Sequence, residues 1–223
     1  QMCIRDSAYA FMINDIEDAP DDAVDPDRAA RNPIAMGEIS RRTGWAASGL
    51  VGLAAAALYA CGGWWVLGIG VITLLLSHFY SWKPVRLKAW PVADVTSHSL
   101  MLSGLLFLAG YFTYGIEPGW VWLVALAAIL VSVYGQLYNQ LRDYDMDKAA
   151  GLHNTAIIVG ERATRLLMYL CLGVGGVLFV MALLLGVLPI WLPVLGAAFF
   201  GIATLIYRPG KDMRGGKVAD TSG

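Results

Sequence analysis

Two short acidic segments, 14–22 and 139–147, carry the residues whose types and spacing could do chemistry. Each begins with an asparagine and continues with several aspartates. On a helix, residues four apart share a face and lie about 6 Å apart along the axis. Each segment therefore presents a stripe of oxygen-bearing side chains. The first stripe is Asn14 and Asp18, and the second is Asn139, Asp143 and Asp147.

Carboxylates crowded on one helix face need a counter-charge, because like charges four residues apart destabilise a helix. Mg²⁺ takes oxygen ligands and commonly bridges one or two carboxylates to substrate phosphates. Two such stripes facing one cavity would form a two-metal site for a diphosphate. The alternative is a pair of solvated acidic loops. Both segments lie where apolar runs end, and this location favours the metal site.

A basic segment, residues 80–88, could complete such a site. It carries Lys83, Arg86 and Lys88 and no acid. Cations beside a metal site can hold a diphosphate and stabilise it as it leaves. The alternative is a loop that serves membrane topology alone. Arg28 and Arg31 leave a similar choice open, between contact with the diphosphate and simple charge balance.

The elements that must position these residues are membrane spans. Of the 223 residues, 57% are hydrophobic and 15% are charged, whereas about 25% are charged in an ordinary soluble domain. This composition excludes a disordered protein, a disulfide-stapled secreted domain and a nucleic-acid binder. Since a helix needs roughly 20 apolar residues to cross a bilayer, the long uncharged runs predict six spans. They are placed at about 43–60, 64–80, 95–114, 119–138, 166–185 and 190–207.

The positive charges orient these spans. All 16 Lys and Arg lie on one side of the predicted topology, and the positive-inside rule makes that side cytoplasmic. We therefore predict an all-α, polytopic transmembrane bundle. It would be integral to the inner (cytoplasmic) membrane, with its active-site loops on the cytoplasmic side.

The two ends of the sequence carry expectations of their own. Residues 1–7 resemble a translated sequencing adapter, and 8–13 resemble the last turns of a truncated span. We expect the transmembrane domain to occupy 8–207. The polar tail 208–223 would lead to a further span, so the natural protein is expected to be longer at both ends.

The paired motifs resemble those of the UbiA-type intramembrane prenyltransferases. The pattern Asn-Asp-x-x-Asp-x-x-x-Asp at 14–22 is similar to the family's first motif, and Asp-x-x-x-Asp at 143–147 is similar to its second. The order of motifs, spans and basic loop also resembles that family, whose members have nine spans. Residues 80–88 resemble the branch of chlorophyll synthase, homogentisate prenyltransferase and digeranylgeranylglyceryl phosphate synthase.

The resemblance implies a reaction. Family members bind a polyprenyl diphosphate through Mg²⁺, ionise it, and transfer the prenyl chain to a lipophilic aromatic or lipid acceptor. The implied partners are therefore the donor, the acceptor and membrane lipid, with no nucleic acid. Mg²⁺ is the implied cofactor.

The resemblance also implies roles for particular residues. The metal ligands would be Asn14, Asp18, Asp143 and Asp147. The catalytic residues would be Asp18, Asp143, Asp147 and Tyr80, with Tyr80, Tyr134 or Tyr138 placing a π face near the cation. The substrate-binding residues would be Asn14, Asp15, Asp22, Lys83, Arg86, Lys88, Asn139 and Tyr138.

Other interpretations stay open. A membrane terpene cyclase or a phosphoribosyl transferase of the same superfamily would share the metal site. A cation transporter would use the acids as its pathway, although transporters place binding groups near the midplane of the bilayer. Two local expectations concern single residues. Pro20 is expected to kink or end its helix. Asp94 is expected to be a helix cap, with an acceptor-site role beside His98 as the alternative.

Overall fold

The computed structural model describes residues 2–115, 117–149 and 151–206, and within these ranges the chain is helical without strands. The predicted tail, 208–223, lies outside the described residues. The chain divides into two compact units, Gln1–Ala182 and Leu183–Gly223, and all predicted site residues belong to the first. The prediction of an all-α fold is confirmed.

Five segments are long and apolar enough to cross a membrane, and they match the first five predicted spans. They are α3 (Arg41–Cys61), α4 (Trp64–Ser81), the composite segment Ala93–Tyr114, α7 (Val121–Arg142) and α10 (Glu161–Leu184). The sixth predicted span corresponds to α11 (Trp191–Ile206), which has only 16 residues. The count of six spans therefore stays a prediction.

The composite segment combines three kinds of helical turn. It consists of α5 (Ala93–Ser99), a π-helical stretch (Leu100–Gly104) and α6 (Leu105–Tyr114). Gly104 lies against the side chain of Ile129 on α7, and a Cβ atom at Gly104 would lie 2.5 Å from that side chain. A residue without a side chain is therefore required for this approach of the two helices.

Shorter helices and turns lie in and beside the connections that follow the two motifs and the basic segment. They are α2 (Pro26–Ala29), a 3₁₀ turn (Leu87–Ala89), α8 (Tyr144–Ala149) and α9 (Thr155–Val159). The N-terminal helix α1 (Met2–Asp22) contains Ala8–Ile13 and the whole first motif. The helix continues through Pro20, whose ring removes the hydrogen bond to the Ile16 carbonyl, and ends two residues later at Asp22.

Two apolar clusters hold the elements that carry the site. Helix α1 packs on α3 and α4, and Ala55, Tyr59, Val66 and Ala109 form a core that joins α3, α4 and α6. Val95, Leu137 and Met168 form a second core, which joins α5, α7 and α10. The second core lies next to the end of α7, where the second motif begins.

Candidate active site

The first motif meets the basic segment at a single ammonium group. Lys88 Nζ lies 2.8 Å from Asn14 Oδ1 and 2.5 Å from Asp18 Oδ2. Ser81 Oγ also donates to Asn14 Oδ1 at 3.0 Å. Burial lowers the pKa of Lys88, while its hydrogen bond to Asp18 acts in the opposite direction. The two oxygens that were predicted as metal ligands therefore already converge on a cation.

The rest of the basic segment extends the same ion-pair network. Arg86 Nη2 lies 3.4 Å from a carboxylate oxygen of Asp18 and 3.4 Å from one of Asp21. Lys83 Nζ lies 3.8 Å from Asp21 Oδ1. Arg86 (φ 46°) and Val92 (φ 67°) have positive φ without being glycine, a strained geometry that clusters at functional sites. Both strained residues flank the turn that presents Lys88.

Asp22 serves the connection that follows the first motif. Asn32 is 2% exposed, and its Nδ2 donates to the carbonyl oxygen of Asp15 and to Asp22 Oδ2, both at 2.9 Å. The backbone N–H groups of Ile34 and Ala35 donate to Asn32 Oδ1. Asp22 therefore pins the α1–α3 connection to α1. The binding roles of Asp15 and Asp22 stay predictions.

The second motif keeps its predicted stripe across the break between α7 and α8. The Asp143 N–H donates to the Asn139 carbonyl at 3.1 Å, and the Asp147 N–H donates to the Asp143 carbonyl at 2.9 Å. Arg142 pairs with both oxygens of Asp143, at 2.9 and 3.0 Å. Asn154 Nδ2 donates to Asp147 Oδ2 at 2.7 Å. The acids therefore lie one turn apart, as the spacing predicted.

The pKa of Asp147 is shifted by burial, by the charges of two other residues and by one hydrogen bond. Burial raises the pKa of this carboxyl, and the negative charge of Asp143 raises it further. The hydrogen bond from Asn154 and the positive charge of Arg28 act in the opposite direction. Arg28 therefore influences the second motif even though it follows the first.

A buried hub beside the second motif was missed by sequence reasoning. Asp94 is 2% exposed. It accepts hydrogen bonds from Gln140 Nε2 at 2.7 Å, from the Thr155 N–H at 3.1 Å and from the Thr155 hydroxyl. The N-cap of α5 is Val92, so the cap prediction for Asp94 was wrong. Its carboxylate instead joins α5, α7 and the start of α9.

A cavity of about 540 Å³ opens among these elements. Six predicted site residues line it: Tyr80, Arg86, Lys88, Asn139, Asp143 and Asp147. Arg28, Asp94, Gln136, Gln140, His153 and Asn154 also contribute to its wall. Six other predicted residues are absent from the lining: Asn14, Asp15, Asp18, Asp22, Lys83 and Tyr138. Of these, Asn14 and Asp18 reach the cavity wall through Lys88.

Tyr138 lies on another face of α7. It is 52% exposed, and its ring stacks on Tyr134 with a centroid distance of 6.4 Å. Tyr80, in contrast, lines the cavity, and its ring lies 6.1 Å from that of His98. Of the three tyrosines considered for a cation–π contact, Tyr80 is therefore the one at the cavity.

An apolar cavity of about 620 Å³ lies further along α7. Its wall includes Ser132, one turn before Gln136 of the charged cavity. Most of the wall is aliphatic or aromatic, with Val124, Leu172 and Phe179 among its residues. The same helix thus borders a charged cavity near its C-terminal end and an apolar one nearer its N-terminal end.

The described residues contain no group of three or more His, Cys, Asp or Glu that could hold a metal ion by themselves. The donor set nevertheless suits Mg²⁺, because this ion prefers oxygen ligands and commonly binds through one or two carboxylates plus substrate phosphates. Each motif supplies such a partial set. A divalent ion would therefore need phosphate oxygens to complete its coordination.

The sequence model of the UbiA prenyltransferase family matches residues 5–219. The chain belongs to this family. Its relatives include digeranylgeranylglyceryl phosphate synthase of Methanoculleus marisnigri, 34% identical over 74% of this chain and 57% of the relative. Lycopene elongase/hydratase of Haloferax volcanii is 26% identical over 71% of the chain and 50% of the relative. The chain thus spans about half the length of these curated relatives.

Solved structures of a UbiA homolog from Archaeoglobus fulgidus share the fold. The structure bound to GPP and Mg²⁺ matches with a TM-score of 0.73 and 25% identity, covering 98% of this chain and 78% of that one. The structure bound to DMAPP and Mg²⁺ matches with a TM-score of 0.72 and 25% identity, covering 95% and 76%. The family and its membrane fold, which the paired motifs predicted, are confirmed.

Proposed function

We propose that this protein transfers a prenyl chain from a polyprenyl diphosphate to a lipophilic acceptor within the membrane, in a reaction that depends on Mg²⁺. One observation carries the proposal: the second acidic motif and the basic segment line one cavity, and Lys88 joins that cavity to the first motif. The names of the relatives and the ligands of the homologous structures support it.

Four residues would hold the metal. Asn14 and Asp18 would hold one ion, because their oxygens already surround the Lys88 ammonium at 2.8 and 2.5 Å. Asp143 and Asp147, one turn apart on the cavity wall, would hold the other. When bound, Mg²⁺ neutralises the diphosphate and so favours its departure from the allylic carbon. We place these cytoplasmic-loop residues on the cytoplasmic side of the inner membrane.

The remaining cavity residues have distinct tasks. Lys88 and Arg86 would hold the departing diphosphate, since both reach the wall with positive charge. Tyr80 would present its ring to the allylic cation. The apolar cavity beside Val124 and Phe179 suits the prenyl chain, and its mostly apolar wall would keep water from the cation.

The acceptor is proposed to be a lipid rather than a soluble molecule. Relatives named digeranylgeranylglyceryl phosphate synthase, in M. marisnigri and in Methanoregula boonei, favour a glyceryl phosphate lipid. The relative named lycopene elongase/hydratase points to a carotenoid instead. A panel with both classes and an aromatic acceptor would therefore decide the branch, while a cyclised product formed without acceptor would indicate a terpene cyclase.

Diphosphate release from geranylgeranyl diphosphate, measured with the full-length protein in lipid, tests the proposal. We expect release to require Mg²⁺ and to fall by roughly 10²-fold or more in Asp18→Ala and Asp143→Ala, the scale seen when a preorganised electrostatic group is lost. Asp145→Ala is the matched control, because Asp145 is exposed on α8 and absent from the cavity lining.

Release without Mg²⁺, or equal rates in all three variants, would contradict the site. No release by folded protein with any donor length would contradict the function. A Na⁺ or H⁺ flux that depends on Asp18 and Asp143 would then favour the transporter.

A further inference from the structure

We propose that Arg28 binds the diphosphate of the donor, as a third cation that reaches the site from the connection between α1 and α3. The inference rests on the proposed function and adds a substrate-binding residue to it. The acidic motifs and the basic segment do not include this residue. Its place in the cavity wall is visible only in the folded chain.

Among the described ion pairs, Arg28 is the cavity-lining cation with the most exposed partner. Lys88 and Arg86 each contact Asp18, which is 17% exposed at its side chain. Arg28 pairs with Asp25 at 3.6 Å, with side chains 68% and 51% exposed. Ion pairs this exposed contribute little, typically below about 1 kcal/mol. An incoming anion can therefore recruit Arg28 with little competition.

The backbone that carries Arg28 is fixed by local hydrogen bonds. It lies on the short helix α2, which begins at Pro26 and is capped by Asp25, whose Oδ1 accepts from the Asp27 N–H at 2.9 Å. Four residues later, buried Asn32 ties the connection to α1 through Asp22. The α1–α3 connection is therefore anchored on both sides of Arg28, at the Asp25 cap and at Asn32.

The cavity wall around Arg28 carries other groups that would bind the diphosphate and its metal ions. The cavity that Arg28 lines also contains Asp143, Asp147 and Lys88. A diphosphate bound between the metal ligands and Lys88 would therefore lie within the same cavity as the guanidinium. Arginine presents several N–H donors in a planar fork, which matches two phosphate oxygens at once. Arg28, on the connection after the first motif, would thus contact a diphosphate that is held at the second motif.

Three variants in the full-length protein in lipid test the inference: Arg28→Ala, Arg28→Lys and Arg31→Ala. Arg31 is the matched control, because it is exposed on the same connection and absent from the cavity lining. The readouts are KM and kcat for geranylgeranyl diphosphate, KM for the acceptor, Kd for the unreactive thiolodiphosphate analogue of the donor, Ki for inorganic pyrophosphate, and the thermal midpoint.

We expect Arg28→Ala to raise the donor KM, the analogue Kd and the pyrophosphate Ki by roughly tenfold, the loss expected for a charged hydrogen bond. The acceptor KM and the thermal midpoint would stay unchanged. Arg28→Lys would recover part of the affinity, because it restores the charge without the fork. Arg31→Ala would stay within about twofold of the unsubstituted protein.

Equal pyrophosphate and donor affinities in Arg28→Ala and Arg31→Ala would overturn the inference. So would a loss that appears equally in the donor and acceptor KM together with a lower thermal midpoint, since that pattern indicates a structural role. If the unsubstituted protein releases no diphosphate and binds no analogue, the proposed function itself fails. If only the inference about Arg28 is wrong, the unsubstituted protein still releases diphosphate and binds the analogue.

Discussion

The first acidic motif takes its partners from far along the chain, whereas the second takes its partners from its own neighbourhood. Asp18 contacts Lys88, which is 70 residues away. Asp143 pairs with the adjacent Arg142, and Asp147 accepts from Asn154, seven residues on. Two motifs with the same spacing of acids thus differ in their contacts: the first depends on tertiary packing, and the second depends mainly on local sequence.

This difference shows that two similar sets of metal-binding side chains can have different partners before a metal binds. The first motif is already neutralised by a cation that must be exchanged when a metal binds. In the part of the chain that the structure describes, the second has a cation only at Asp143, where Arg142 is half-exposed, and a neutral amide at Asp147. It is attached to the bundle through the buried Asp94 hub. We therefore expect metal competition at the first motif and sensitivity to packing at the second.

The largest expected effect follows from breaking the hub beside the second motif. Asp94→Ala leaves the buried donors of Gln140 and Thr155 without their acceptor. Since each unsatisfied buried group costs about 1–3 kcal/mol, we expect a loss of about 3 kcal/mol or more in the free energy of unfolding. Thermal unfolding in detergent measures it. Thr96→Ala, at an exposed position on the same helix, is the control, and equal midpoints would contradict the role of the hub.

A smaller effect would separate the two motifs by metal affinity. Lys88→Met removes the ammonium that occupies the oxygens of Asn14 and Asp18. We expect Mn²⁺ to bind the first motif about tenfold more tightly without diphosphate, a change of about 1.4 kcal/mol. Electron paramagnetic resonance titration of Mn²⁺ measures it. Lys83→Met is matched, because Lys83 contacts only Asp21 within the described ion pairs; the same gain in both variants would argue for a general charge effect.

The smallest effect concerns the amide at the second motif. Asn154 donates to Asp147 and also caps α9 by accepting from the Ile157 N–H at 3.0 Å. Asn154→Ser retains a capping oxygen but removes the donor to Asp147. We expect a threefold to tenfold loss of Mn²⁺ affinity at the second motif, on the order of 1 kcal/mol. Asn154→Ala would also remove the cap of α9, which we expect to lower the free energy of unfolding by about 1 kcal/mol. An unchanged Mn²⁺ affinity in Asn154→Ser would show that metal binding by Asp147 does not depend on the hydrogen bond from Asn154.

The parts of the fold that could be predicted were those that depend on local sequence. Five spans were found because uncharged runs near 20 residues have few alternatives to a membrane helix. The ligand stripes were found because residues four apart share a helix face whatever surrounds the helix. Helix α11 shows the limit, since its 16 described residues leave a full crossing open.

The parts of the site that could not be predicted depend on packing between distant segments. Asp94 carries no signal beyond an acid near a span start, and only the approach of α5, α7 and α9 makes it a buried hub. Tyr138 and Asn139 are adjacent in sequence, yet one stacks on Tyr134 while the other lines the cavity. Helical spacing puts adjacent residues on different faces, but the packing of α7 decides which of those faces meets the cavity.

The sequence by itself determined the membrane helices, the two oxygen stripes and the cations available to meet them, because each follows from composition or from helical spacing over a few residues. Only the tertiary structure decided that Lys88 takes the oxygens of the first motif, that Asn32 uses Asp22, and that Arg28 reaches the cavity of the second motif. Such pairings are set by which helices pack together, and helix packing is governed by shape and burial across the whole chain.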